Sequence, residues 1–300
     1  MHIPDAMLQG AVCPVTAAVT ALGLSATAYA AWKAEKKPSA LSFAAVSALV
    51  FAGQMLNFPV QFGTSGHILG ATLAVALLGS SFGVLSMSLA VLMQCLVFAD
   101  GGVSVLGANL LNMALLAALP AIVVREFLLK DGAAKNNAAV TVKASFYGTA
   151  ALVSVLLAAA ACSVELSAAG AVAFDKVLPS MLFVHLLIGL CEGVITFVLY
   201  PLLAAQMQTA DNKRGWLVPL GTAVIAAFVL SPFASQSPDG LEYIASVFGF
   251  LHTSAPLFSV PFADYSVPGV PAENLSTALA GLFGVVLMFV SGYGLRRLFQ

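Results

Sequence analysis

Apolar residues run through this chain in long stretches separated by short polar punctuation. They show neither the two-residue alternation of a half-wet strand nor the single apolar stripe of a surface helix. Read as helices, the stretches predict spans at Met7–Trp32, Ala40–Leu56, His67–Gly79, Phe82–Phe98, Val103–Val124, Ala144–Cys162, Leu178–Leu203, Trp216–Leu230 and Leu275–Tyr293. The predicted class is all-α, a polytopic membrane helix bundle. Crossing the hydrocarbon takes about 20 helical residues. The third stretch has 13, enough for only about 20 Å at a ~1.5 Å rise per residue, so it reads either as a short crossing or as a re-entrant piece.

Charge favours the crossing. If the third stretch spans, the basic groups at Lys33–Lys37, Arg125–Lys143, Lys213–Arg214 and Arg296–Arg297 fall on one side, leaving Lys176 alone among the 12 Lys and Arg. That is the asymmetry the positive-inside rule asks for. The same parity puts the chain start, the 57–66 loop, the 99–102 turn and the 231–274 segment on the extracytoplasmic side and the C-terminus in the cytoplasm. The expected location is a cytoplasmic membrane, which the family resemblance given below makes that of a bacterium or archaeon.

Composition narrows the function. The chain is 60% hydrophobic and 8% charged with net charge −1, which excludes a soluble globular domain and a basic nucleic-acid surface. Cys13, Cys95, Cys162 and Cys191 stand singly with no CxxC spacing and read as buried small hydrophobes. No G-x-x-x-x-G-K-[ST] occurs, so the chain has no P-loop with which to hydrolyse ATP. No HExxH occurs either, which disfavours an intramembrane metallohydrolase.

The opening MHIPDAM carries no basic region ahead of its apolar run, unlike a cleaved leader, and is expected to remain in the protein. A free amine on Met1 followed by His2 offers three nitrogens: the amine, the deprotonated His2 amide and the His2 imidazole. These close fused chelate rings in one plane. One further imidazole completes a square-planar nitrogen set, which suits Ni(II) or Cu(II) better than Co(II) and suits Zn(II) poorly. Pro4 fits a turn folding the tail back, and Asp5 can orient an imidazole. Alternatively, His2 is simply an interfacial residue at a frayed end.

His67 is the second imidazole that parity brings to the outer surface. It lies in NFPVQFGTSGHILGA, where Thr64 or Ser65 would N-cap a helix that His67 begins. Gln54 and Asn57 are candidate hydrogen-bond partners for His67, and Asp100 and Asn109 flank a glycine-rich outer turn that reads as a gate beside a pocket or as plain turn chemistry. His185 and Glu192 share a helix face about 10.5 Å apart, too far to hold one ion. His252, Asp239, Glu242 and Asp264 occupy the outer loop. The outer carboxylates together would attract divalent cations.

MHIPD, FAGQMLNFPVQFGTSGHILGATLA, LMQCLVFADGGVSVLGANLLNM and HLLIGLCEGVIT resemble, in order and spacing, the CbiM/NikM substrate-binding (S) components of energy-coupling-factor transporters for cobalt and nickel. The stretch SPDGLEYIASVFGF with FADYSVPGV and a last helix is similar to the nickel-associated NikN type. The resemblance implies a seven-helix core with the N-terminus inserted, over residues 1–205, and a NikN-like PDGLE region with two further helices, over 215–300. It implies Met1, His2 and His67 as metal ligands, with Asp5, Gln54, Asn57, Ser65, Asp100 and Asn109 around them. Ni(II), or Co(II), is the transported substrate, and the partners are a membrane coupling (T) subunit, ATP-binding-cassette ATPases and the lipid bilayer. Ala6 stands where the family usually has Gly, and Gly79-Ser80 where Gly-Pro is common. A cobalt carrier with the same site and a secondary metal transporter are the competing readings.

Overall fold

A computed structural model describes residues 2–129, 137–207, 214–251 and 260–300. Met1, Lys130, Lys135, Lys213 and His252 lie outside the described residues. Among the described residues the helices run, in order, α1 Val12–Lys33, α2 Ala40–Gln54, α3 Ala71–Leu78, α4 Ser80–Phe98, α5 Leu106–Leu128, α6 Asn137–Ala168, α7 Phe174–Met207, α8 Leu217–Phe233, α9 Gly240–Phe248 and α10 Glu273–Arg297. The chain is thus an all-α membrane bundle. Among the described residues six helices are long and apolar enough to cross a membrane: α1, α4, α5, α6, α7 and α10. Helices α2 and α8 are shorter apolar helices.

Polar signals set several ends. Ser39 caps α2 through its hydroxyl on the Ser42 N–H at 3.0 Å. Asp239 and Glu242 form a capping box on α9, as the D-x-x-E spacing in PDGLE dictates. Packing is close because small residues line the crossings. A Cβ on Gly107 would meet the Ala17 backbone at 2.5 Å, and one on Gly83 the Val75 backbone at 2.6 Å. Helix α1 lies on the outside, exposing Val15, Val19 and Leu22, while the residues before it turn inward.

The third predicted span needs correction. Its helix covers only Ala71–Leu78, and His67 does not begin it: Ser65–Gly66 pairs with Phe58–Pro59 in a two-residue antiparallel ladder. Neither Thr64 nor Ser65 caps, since Thr64 Oγ1 donates to Gln61 O at 2.8 Å and Ser65 Oγ to Ser237 O at 2.7 Å. Two side chains from other helices brace α3 instead. Glu192 of α7 accepts from the N–H groups of Leu69 (2.7 Å) and Gly70 (2.9 Å) at its start, and Arg125 of α5 donates to Ala76 O at 3.2 Å at its end. A carboxyl group accepting at the N-terminus and a guanidinium donating at the C-terminus satisfy backbone groups the short helix leaves open.

The short segment links two ends of the bundle: α3 is about 12 Å long, and the turn before it runs through Gly70, left-handed at φ 79°. Gly79, at its end, lies beside Arg125, while His67, at its start, lies beside His2. Helix α4 then returns from Ser80, which donates to Glu126 at 2.6 Å, to Phe98 beside the histidines. Basic residues gather at the Ser80 end. Lys37 donates to Phe299 O at 2.9 Å, Arg296 donates to Pro38 O at 2.8 Å, and its guanidinium lies over the Phe82 ring at 5.2 Å.

Candidate metal centre

The leading residues build the site. Ile3, Met7 and Leu8 are buried, each worth about 1.5–3 kcal/mol relative to exposure in water. The backbone between them is held by α5 and the turn before it. Asn109 pairs with Ile3 in both directions, accepting from its N–H at 2.8 Å and donating to its carbonyl at 3.0 Å. Gly102 N–H donates to the same carbonyl at 2.9 Å, and only glycine permits this: a Cβ there would sit 2.3 Å from Asp5 N. Asp5 accepts from Ser104 N–H (2.9 Å) and Oγ (2.5 Å), so these contacts anchor the tail at the rim. Ala6 adopts φ 71°, the region where glycine is at ease and alanine carries about 1–2 kcal/mol of strain. The departure from the family's glycine is therefore tolerated at a conformational cost. Ser80, the other departure, opens α4 and adds a hydroxyl bond to Glu126.

This anchoring brings His2 to His67. Their ring centroids are 5.4 Å apart with planes 24° from parallel, and both residues are 7% exposed. His67 Nδ1–H donates to Ile68 O at 3.1 Å, which leaves the lone pair on Nε2, the tautomer control common in metal-binding imidazoles. Burial, with help from neighbouring His2, pushes the His67 imidazole down to about 3, so the ring is neutral at physiological pH. The rings stack face to face, and convergence of both on one ion requires rotation of at least one about its χ2.

A ring of hydrogen bonds encloses His2. Its Nδ1 lies 2.9 Å from Asp100 Oδ1 and its Nε2 3.2 Å from Gln94 Oε1. Tyr265 closes the circuit, donating to Asp100 Oδ2 at 2.6 Å and accepting from Gln94 Nε2 at 3.1 Å. Burial alone would raise the Asp100 carboxyl. The adjoining His2 and the Tyr265 hydroxyl outweigh it and hold the group well below the usual carboxylate range. Gln94 and Tyr265 are members of this circuit that sequence reading did not single out, although both lie in stretches that carry the family resemblance. Tyr265 comes from the far C-terminal region, stacks on Phe98 at 4.8 Å, and sits with Asp264 in left-handed backbone (φ 53° and 50°), a conformation with no motif to betray it.

The remaining predicted residues divide. Gln54 donates to Leu69 O at 2.7 Å, Asn57 accepts from Ser235 N–H through its carbonyl at 2.7 Å, and Ser65 holds the PDGLE segment by its hydroxyl and by its N–H on Pro238 O at 2.8 Å. Gln54 and Asn57 join His2, His67 and Asp100 on the wall of a 410 Å³ cavity, whereas Ser65 and Asn109 act on the backbone that frames it. His185 packs against Gly240 of the PDGLE stretch. Glu192 serves α3 as described. Among the described residues no three His, Cys, Asp or Glu are grouped to hold a metal ion.

Fold and site together define a helical membrane protein with a small polar site at one end, built on two buried imidazoles. The chain belongs to the CbiM family of cobalt uptake substrate-specific transmembrane regions, which residues 2–210 match, and it carries a PDGLE domain over residues 213–300; it is a nickel/cobalt transport membrane protein of that family. It is 30% identical to the fused nickel transport protein NikMN of Rhodobacter capsulatus over 98% of this chain and 96% of that one. It is 31% identical to the cobalt transport protein CbiM of Ruminiclostridium cellulolyticum over 52% of this chain and 63% of that one. A crystal structure titled as that of a transition metal transporter matches at TM-score 0.59 and 30% identity, covering 73% of this chain and 99% of its own.

Proposed function

We propose that the chain captures Ni(II) on the extracytoplasmic side and hands it inward as the S component of an energy-coupling-factor transporter. The ligands in this reading are the Met1 amine, the His2 amide nitrogen and imidazole, and the His67 imidazole, a square-planar nitrogen set. The observation that carries it is the meeting of His2 and His67, far apart in sequence, at 5.4 Å between ring centroids, with the tail before α1 pinned by Asn109. With no side-chain cluster of three ligands among the described residues, backbone nitrogens are the natural supplement to two imidazoles. Asp100 stays beside the site as counter-charge, and Tyr265 keeps it oriented when the ion takes His2 Nδ1.

Energy comes from partners in this reading: a membrane coupling subunit and ATP-binding-cassette ATPases. The basic end of the bundle faces the cytoplasm, and residues 1–205 and 215–300 act as the metal-binding and PDGLE units. Co(II) is the second candidate substrate, and competition titration of the two ions decides between them. The direct test is one extra residue before Met1, which moves the α-amine out of the chelate, together with His67→Ala. Each should weaken Ni(II) binding by about 100-fold or more in calorimetry while the helical circular dichroism stays native. Unchanged affinity in the extended protein overturns the chelate.

A further inference from the structure

Away from the metal centre, a carboxyl group is buried between α5 and α6 with too few donors. Glu165, one turn from the end of α6, is 7% exposed, and its Oε2 accepts from Asn112 Nδ2 of α5 at 2.6 Å. Its Oε1 and the Asn112 Oδ1 are both buried, and among the described residues neither has a hydrogen-bond partner. No Lys, Arg or His among those residues pairs with Glu165.

An ionised carboxyl fits this site badly. A carboxylate only accepts, so it would leave two acceptors of one buried pair empty. It would also hold a full negative charge out of water against a single neutral amide, which does not repay that transfer. One proton removes both defects. The protonated carboxyl is donor and acceptor at once, so it returns a hydrogen bond to Asn112 Oδ1 while Nδ2 still donates to its other oxygen. Turning the amide over does not remove the need: two oxygens would then face each other at 2.6 Å and hold together only through a hydrogen between them. The surroundings supply no counter-charge. Along α6 the neighbouring ionisable residue is Cys162, and α3 has none. Helix α7 packs antiparallel on α6, Gly193 against Gly148 and Gly189 against Leu152; its ionisable residues at the level of Glu165 are Asp175 and Lys176, both exposed.

We infer that Glu165 is a proton-binding site inside the bundle: it keeps its carboxyl proton at physiological pH and shares it with Asn112, locking α5 to α6 as a neutral acid–amide pair. The lock sits where α5 widens. Ala117 N–H reaches back to Asn112 O at 3.1 Å, a wide turn of the kind that recurs at functional positions, and Ser154 of α6 donates to Ala117 O at the far side of it. Asn109, which seats Ile3, stands one turn before Asn112. The proton therefore holds the stretch of α5 on which the tail docks.

The test uses the full chain in detergent micelles. In the infrared spectrum at pH 6, subtracting Glu165→Gln from the wild type should reveal a protonated-carboxyl C=O band that shifts in heavy water. Asn112→Leu should keep that band and move it to higher frequency, because the acid loses its partner. Linkage gives a second readout. An unfolded chain releases a glutamate proton at about 4.3 while the folded pair keeps it, so the stability from this group falls as pH rises. The unfolding constant of the wild type relative to Glu165→Gln, from titration with denaturing detergent, should therefore rise about tenfold from pH 5 to pH 6. A carboxylate band in the infrared difference, or a ratio constant with pH, would show Glu165 ionised and overturn the inference. If Glu165→Gln does not fold, the frequency shift in Asn112→Leu decides, and its absence is equally fatal.

Discussion

At the scale of single residues, the site depends on protonation as much as on geometry. His67 resists protonation down to about 3 because it is buried beside His2. In an unfolded chain the same ring takes up its proton near 6.5, so between these values the unfolded state binds more protons and stability falls as pH drops. Thermal unfolding followed from pH 7 to pH 4 should show this acid loss, and His67→Ala should flatten it. Metal affinity follows a different count. His67 has no proton to surrender at neutral pH, while the amine and the His2 amide each must. With the amine ordinarily titrating near 8, and with any ring proton displaced from His2 adding to the count, lowering pH from 7 to 6 should weaken Ni(II) binding at least about 100-fold, read by calorimetry; a pH-independent affinity would contradict the proposed ligand set.

At the scale of elements, the telling features are those that hold the tail and the short helix. Gly102 admits the backbone of Asp5, so Gly102→Ala should unseat residues 2–8 and cost Ni(II) affinity more than tenfold in titration, with helix content intact. How much of this was readable differs residue by residue. His2 and His67 were readable because imidazoles are rare in apolar chains and charge parity put both on one side. The capping of α3 was misread because its partner is a carboxylate 122 residues away, and the atoms it serves, the N–H groups of Leu69 and Gly70, look the same in any sequence. The shortness of the third span was visible; that Glu192 and Arg125 clamp its two ends was not, since a lone charged residue in an apolar run names no partner.

At the scale of the molecule, the C-terminal region is part of the site and not an appendage. Ser65 bridges to Asp239 of the PDGLE segment, Gly240 packs on His185, and Tyr265 completes the hydrogen-bond circuit around His2. Tyr265→Phe keeps the stacking on Phe98 and removes two hydrogen bonds, each worth about 1 kcal/mol. It should weaken Ni(II) binding roughly tenfold and lower thermal stability by about 2 kcal/mol; wild-type affinity in that variant would make the circuit decorative. Removing residues from Trp216 onward should reduce binding at least as much and impair transport further.

The pairing of Ile3 with Asn109, 106 residues downstream, also dictates an order of birth. Residues 2–8 cannot take their seats until α5 has emerged and entered the membrane, so this stretch settles after helices that follow it in sequence. A truncated product lacking Asn109 and Tyr265 has nowhere to lodge residues 2–8 and, in the proposed reading, cannot hold the ion. In that reading, competence to load waits on segments made long after the residues they seat.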